Sequence, residues 1–408
     1  MNKQQEDQKM KNQKEEFNGH NHPQINKEPS KYIVLDILFY GSSLNYDQGS
    51  QNYQELKKIT KWDGKQYVMV SRYALRYSIL HWANKMFPDK WKLMGKEQFE
   101  EGEENKKNKG PPKLKLTENK ESEEGEENKK NKGQQKITME ILKQYFEDFP
   151  EIDLFGFMVA SENQTITRTS PVKISHAISL TPYNYDSHFS ANLDIVKRAY
   201  GPNKGSNPIN IEEKLDFYLY NVVIDVNRVG LCTKEEIGYK EKESPNNNQN
   251  NNQNQNQKID IGEKKRKERI LQLIKAIFSL KREIKGRMED LIPWLAIVGL
   301  YNDAKYQTYL NRIELEKNQI YKTIRKEKEF KDSEGRTVIE VENQIIEKEA
   351  PKFLIHDDLE NKEILEKEEE MFNKIGEFIG NDKKGEPANQ ILIYKKSNVK
   401  VEFGEKNF

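Results

Sequence analysis

Apolar residues along this chain gather in short runs separated by long polar stretches. Tyr32–Tyr40, YIVLDILFY, is a nearly continuous β-prone run. After a turn-like Asp63-Gly64 pair, Tyr67–Phe87 carries apolar residues at helical spacing. Ile152–Ala160 (IDLFGFMVA) and Leu215–Val229 (LDFYLYNVVIDVNRV) read as further strands, Arg266–Glu289 as a long basic helix, and Gln390–Phe403 as a late strand pair. The resulting order is β, α, β, β, α, β. That is the order of an α+β sheet of ferredoxin-like or RRM type, here enlarged by insertions.

The polar stretches divide the chain. Residues 1–30 hold almost nothing apolar and cannot offset the entropy of ordering, so they read as a disordered tail. Within 97–135, EEGEENKKNKG occupies Glu100–Gly110 and recurs at Glu123–Gly133. The repeat has no apolar face to stack on its neighbour, so it fits a duplicated surface loop better than a solenoid. Residues 244–258, with the tract NNNQNNNQNQNQ, have the composition of a linker. Folded sequence is therefore expected at 31–96 and 136–243, with 259–408 supplying the basic helix, an acidic region and the closing strands.

Charge sharpens this division. The chain of 408 residues has a net charge of only +1. Yet Lys31–Glu97 holds eleven Lys and Arg against six acids, and Glu263–Arg287 ten against three, whereas Glu340–Glu386 holds fifteen acids against seven lysines. A basic body with a separate acidic region suits a protein that holds phosphate without precipitating on every polyanion. The single cysteine, Cys232, excludes an internal disulfide, and the six histidines show no zinc-site spacing. No run is long and apolar enough to span a membrane, and the N-terminal residues lack a signal-peptide core, so a cytoplasmic protein is expected.

Candidate chemistry concentrates at the first helix. Ser71 is a good N-cap and Arg72 the first helical residue, with Leu75, Ile79, Trp82 and Met86 as an apolar stripe. Arg72 and Arg76 sit beside that stripe, and a cation in the first turn opposes the helix dipole unless an anion is near. The loop Gly41–Gly49, GSSLNYDQG, is small and polar enough for its backbone to approach a phosphate. Equally, the arginines could pair with Asp36 or Asp47 and the loop be a simple turn; the residues leave both readings open.

Arg168–Pro182 alternates, setting Val172, Ile174, His176, Ile178 and Leu180 on one face. A lone histidine on an apolar face is by default a core residue, while Arg168 and Lys173 lie outside that face as candidate phosphate contacts. FGFMV at Phe155–Val159 lacks the basic-Gly pair of a base-stacking strand and reads as core. The helix from Lys264 is amphipathic, with Ile270, Leu273, Ile274 and Ile277 on one side. Phosphate-binding loop, CxxC, HExxH and GxSxG motifs are all missing. Neither catalysis, a metal nor a cofactor is expected.

Three stretches together resemble the backbone subunit of type I CRISPR surveillance complexes (Cascade), the seventh Cas protein family, in the DevR-like branch of subtype I-B. They are GSSLNYDQGSQNYQELKKITKWDGKQYVMVSRYALRYSI (Gly41–Ile79), DLFGFM (Asp153–Met158) and RTSPVKISHAISL (Arg168–Leu180). The resemblance covers most of Lys31–Gly230. It implies an RRM-like palm with inserted finger and thumb elements, many copies of which stack along one guide RNA. Each would grip the sugar-phosphate backbone and leave bases free to pair with target DNA, so the protein needs shape and charge but no base readout. The partners implied are the guide, target DNA through it, further copies and other Cascade subunits. Carried over by motif, Asn45, Lys57, Lys58, Ser71, Arg72 and Arg76 would lie on the RNA-facing side, and Arg168, Lys173 and His176 near the thumb. Two other readings compete: a target-RNA endoribonuclease of the related type III kind, for which Asp186 is the acid to nominate, and a scaffold that binds no nucleic acid.

Overall fold

Tyr32–Gly41 (β1) buries seven consecutive residues, Ile33 to Phe39, which a strand does only when both its faces are covered. The structure, a computed structural model, describes residues 30–42, 44–47, 49, 52–95, 99–100, 113–114, 139–160, 165–191, 198, 208–239, 258–316, 321–331, 333–348, 350–357, 362–380 and 389–404. Residues 1–29 of the polar tail, most of the duplicated loop and residues 244–257 of the Asn/Gln linker lie outside the described residues. Lys258 is the exception: it opens the strand Lys258–Asp260.

Around β1 the chain builds Lys58–Thr60 (β2), Gln66–Val70 (β3), Arg72–Met86 (α1), Met139–Asp148 (α2), Pro150–Phe155 (α3), Val172–Ile174 (β4), Ala177–Ser179 (β5) and Asp216–Asp225 (β6). It continues with Glu263–Phe278 (α4), Pro293–Tyr301 (β7), Lys362–Leu365 (β8), Glu368–Gly380 (α5) and Gln390–Lys395 (β9). The fold is thus mixed helix and strand. Its main sheet has nine strands among the described residues, ordered β8-β9-β7-β1-β6-β5-β3-β2, with β4 also paired to β6. β1 runs antiparallel to both neighbours, with Asp36 opposite Asn221 on β6 and Ile297 on β7.

Alternation along β1 assigns the two layers. Ile33, Leu35, Ile37 and Phe39 share a core with α1 (Leu75, Ile79, Ala83), α4 (Ile270, Leu273, Ile277) and α5 (Met371, Ile375, Ile379). Val34 and Leu38 point the other way, into a second core with Tyr309, Ile313, Phe353 and Ile355. The last three belong to a small sheet of Ile313–Leu315, Lys352–Ile355 and Lys400–Phe403. A third cluster ties α2 and α3 to the hairpin Phe157–Ala160/Thr165–Arg168 and to the pair Leu231–Thr233/Lys258–Asp260.

Four expected elements differ: the helical spacing expected from Tyr67 begins only at Arg72, because Gln66–Val70 is a strand. Ile152–Ala160 is not one strand: Pro150 stands at the start of α3, and Gly156, at φ 71°, turns the chain into Phe157–Ala160. A β-carbon there would meet the Arg168 carbonyl oxygen at 2.3 Å, so the turn requires glycine. The basic helix stops at Phe278, and its expected remainder is a hairpin, Lys281–Ile284 with Arg287–Asp290, turning at Lys285-Gly286 where both φ values are positive. The two late strands do not pair with each other; Gln390–Lys395 joins the main sheet and Lys400–Phe403 the small one. Among the described residues, no helix is long and apolar enough to cross a membrane.

Candidate nucleic-acid interface

Three chain segments converge on the first turn of α1. Ser71 caps it as expected, its Oγ accepting from Ala74 N–H at 3.2 Å, and its own N–H donates to Asn45 Oδ1 at 2.8 Å. The next amide, Arg72 N–H, donates to His176 Nδ1 at 3.0 Å. His176 reaches it because the expected alternation breaks. Ile174 lies opposite Val222 but Ile178 opposite Leu219, so four steps on one strand face three on β6 and one extra residue bulges. The bulge swings His176 from the apolar face to the helix start. Burial, then the charge of Arg72, lowers its pKa and favours the neutral ring that this hydrogen bond needs.

With Asn45, Ser71 and His176 holding the helix start, its side chains are presented outward. Arg72 and Arg76 are both exposed. Neither pairs with a carboxylate among the described residues, so the proposed pairings with Asp36 and Asp47 are not made. Asp36 is buried, accepting from Asn221 Nδ2 at 2.9 Å, Thr308 Oγ1 at 2.9 Å and Tyr309 N–H at 3.0 Å, and burial pushes its pKa up to about 6. Asp47 binds Lys57 at 2.9 Å. The arginines instead flank an aromatic ring: the Arg72 guanidinium carbon is 4.9 Å and that of Arg76 5.9 Å from the Tyr73 centroid. Arg72 Nη2 also donates to the Tyr73 hydroxyl at 3.0 Å, drawing that phenol's pKa down.

The remaining predicted residues divide. Lys173 is exposed and pairs with no acid among the described residues. Lys57 is tied to Asp47, and Lys58 to the buried Glu212 at 2.7 Å, where it also lies 4.5 Å from the Tyr183 ring. Arg168 is a correction. Only 3% exposed, it donates to Asp153 Oδ1 at 3.0 Å, Leu231 O at 2.9 Å and Arg228 O at 2.7 Å, above the Phe146 ring. Asp153 is wholly buried and also receives Arg269 Nη1 at 2.8 Å. One carboxylate between two guanidiniums ties the third cluster to α4. Arg168 therefore fastens the fold from inside rather than facing a ligand.

Sequence reading missed the aromatic partners. Tyr73 and Tyr77, 60% and 61% exposed, and His81 stand four residues apart along α1 and so share one stripe. Their spacing away from Leu75 and Ile79 was the available signal. Arg282, from the unforeseen hairpin that packs against α1, lies beside Tyr77 and had none. Asp186 is exposed, its carbonyl accepting from Glu213 N–H at 3.0 Å. No group of three or more His, Cys, Asp or Glu could hold a metal among the described residues.

Comparison with known proteins adds an independent line. The family described as "CRISPR-associated negative auto-regulator DevR/Csa2" matches residues 33–349. No curated protein matches the sequence. Among solved structures, the chain is similar to one in a "CRISPR RNA-guided surveillance complex", with TM-score 0.38 and 10% identity over 68% of this chain and 72% of that one. It is also similar to one in a "CRISPR RNA-guided surveillance complex, pre-nicking", with TM-score 0.42 and 10% identity over 68% and 80%.

Proposed function

Because the chain belongs to the DevR/Csa2 family of CRISPR-associated proteins, we propose that it is a non-catalytic subunit of a type I-B Cascade complex that holds guide RNA by its sugar-phosphate backbone. The observation that carries this reading is the pair of exposed arginines at the capped start of α1, neither in a salt bridge among the described residues. They are cations fixed by the fold where a helix N-terminus also favours an anion. Lys173 is a further exposed charge on β4, opposite Val223 and so on the sheet face away from α1. The guide supplies sequence by base pairing with target DNA, so charge and shape suffice for the protein.

Strand order supports a palm of ferredoxin-like or RRM type. Taking β4 and β5 as one interrupted strand, the sequence β1, α1, β4/β5, β6, α4, β7 gives the spatial order second, third, first, fourth with every neighbour antiparallel. Outside this sheet stands a two-stranded ribbon, Tyr321–Lys331 with Thr337–Lys348. Two strands alone are marginally stable in water, so the ribbon gains from being covered by another copy along the RNA or by another Cascade subunit. The protein works in the cytoplasm, where guide and invading DNA meet.

The test is binding of guide-length RNA by the full chain across a salt series. Tight, salt-sensitive binding that collapses in Arg72→Glu/Arg76→Glu upholds the proposal; equal binding by that variant ends it. Cleavage of complementary RNA with Mg²⁺, lost in Asp186→Ala, would establish the endoribonuclease alternative.

A further inference from the structure

Tyr73, Tyr77 and His81 raise a question that phosphate binding does not answer. Water-exposed aromatic rings contribute nothing to the core and cost solubility, yet α1 aligns three at four-residue spacing. Tyr77 and His81 are already in ring contact, with centroids 4.0 Å apart. Cations surround the stripe: Arg72 and Arg76 beside Tyr73, and Arg282 beside Tyr77. Arg282 Nη1 is buried and has no hydrogen-bond partner among the described residues, an unmet donor at the edge of the same strip. Among the stripe's own positions on α1 there is no acid, and the one carboxylate that interacts with it from outside the helix among the described residues is Glu151 of α3, beside Arg76 and His81.

We infer that this stripe is a stacking platform for unpaired nucleobases, with Tyr73 and Tyr77 each taking the face of one base of the strand whose phosphates meet Arg72, Arg76 and Arg282. The inference rests on the reading of the chain as an RNA-holding subunit and adds a second mode of contact to it. Charge complementarity selects the occupant. A protein surface would need its own carboxylates aimed at three guanidiniums, whereas a single strand carries phosphate and a π-face in every residue. Stacking on exposed aromatics is also indifferent to base identity, as a subunit serving guides of many sequences requires.

The experiment compares two probes of equal length and charge, a single-stranded RNA oligonucleotide and its abasic counterpart, against the full chain freed of co-purified nucleic acid. Wild type is expected to bind the RNA more tightly than the abasic strand. Tyr73→Ala/Tyr77→Ala should lose roughly tenfold or more on RNA and almost nothing on the abasic strand. Tyr73→Phe/Tyr77→Phe, which keeps both rings, should behave as wild type and so controls for folding. Equal binding of RNA by wild type and the Ala pair overturns the inference. The RNA-holding reading survives that result if Arg72→Glu/Arg76→Glu still abolishes binding of both probes. Loss of self-association with unchanged RNA binding in the Ala pair would make the stripe a protein contact and equally overturn the inference.

Discussion

His176 Nδ1 accepts the backbone N–H of Arg72 at 3.0 Å, so a bulge in the central sheet fixes the helix that carries the two exposed arginines. Because this imidazole's pKa is lowered, its contribution to stability is complete above the ordinary value and is lost as pH falls through the lowered one. His176→Ala should therefore cost about 1 kcal/mol at neutral pH. Its deficit against wild type should shrink as the solution is acidified below the ordinary histidine range. Urea denaturation of both proteins at several pH values measures the gap, and a constant gap would refute the cap.

Arg72→Ala/Arg76→Ala should reduce the slope of log affinity against log salt by about two, since each lost phosphate contact releases about one counterion fewer. Lys58→Ala should leave the slope unchanged, because Lys58 is already neutralised by the buried Glu212. Filter binding over a salt series distinguishes the two; a change of slope in the lysine variant alone would reverse the assignment.

Asp153 is the only acid in hydrogen-bond contact with both Arg168 and Arg269 among the described residues. Asp153→Asn should cost about 3–5 kcal/mol, because two guanidiniums lose the carboxylate that compensates them in a buried site. Thermal unfolding checks this: a loss under about 1 kcal/mol would mean that water enters the cluster.

Asp36 carries the opposite pH sign to His176. Its pKa is raised by burial to about 6, so the stability it lends is greatest below the ordinary carboxylate range and is lost as pH rises through about 6. Relative to Asp36→Asn, wild type should gain roughly 1–3 kcal/mol between neutral pH and about pH 4.5. Denaturant midpoints for the two proteins read the difference directly, and parallel pH profiles would show that Asp36 is not the titrating group.

Much of the frame was legible in the sequence. β1, the Ser71 cap and the stripe of Leu75 and Ile79 follow from local periodicity and side-chain capping, which depend on near neighbours. What escaped depends on distant ones. IDLFGFMVA is apolar enough for a strand, but Pro150 and Gly156 divide it between a helix and a hairpin. The alternation through His176 is real on either side of a bulge whose presence only β6 reveals. Arg168 resembles a surface cation until Asp153, Leu231 and Arg228 arrive from elsewhere in the chain. The family resemblance identified from Gly41–Ile79, Asp153–Met158 and Arg168–Leu180 agrees with the matched family.

The Asn/Gln tract lies in sequence between Tyr239, the last described residue after the short helix Lys234–Ile237, and Lys258, whose strand partner Thr233 caps that helix, with Cys232 and Ile259 paired and buried behind them. That pair works as a buckle. Because the two ends are already fastened together, doubling the length between them costs only about 0.6 kcal/mol of closure entropy. The position is thus a natural socket for foreign sequence, such as an affinity tag or a fluorescent domain, one that would label the subunit without touching the helix that presents Arg72 and Arg76.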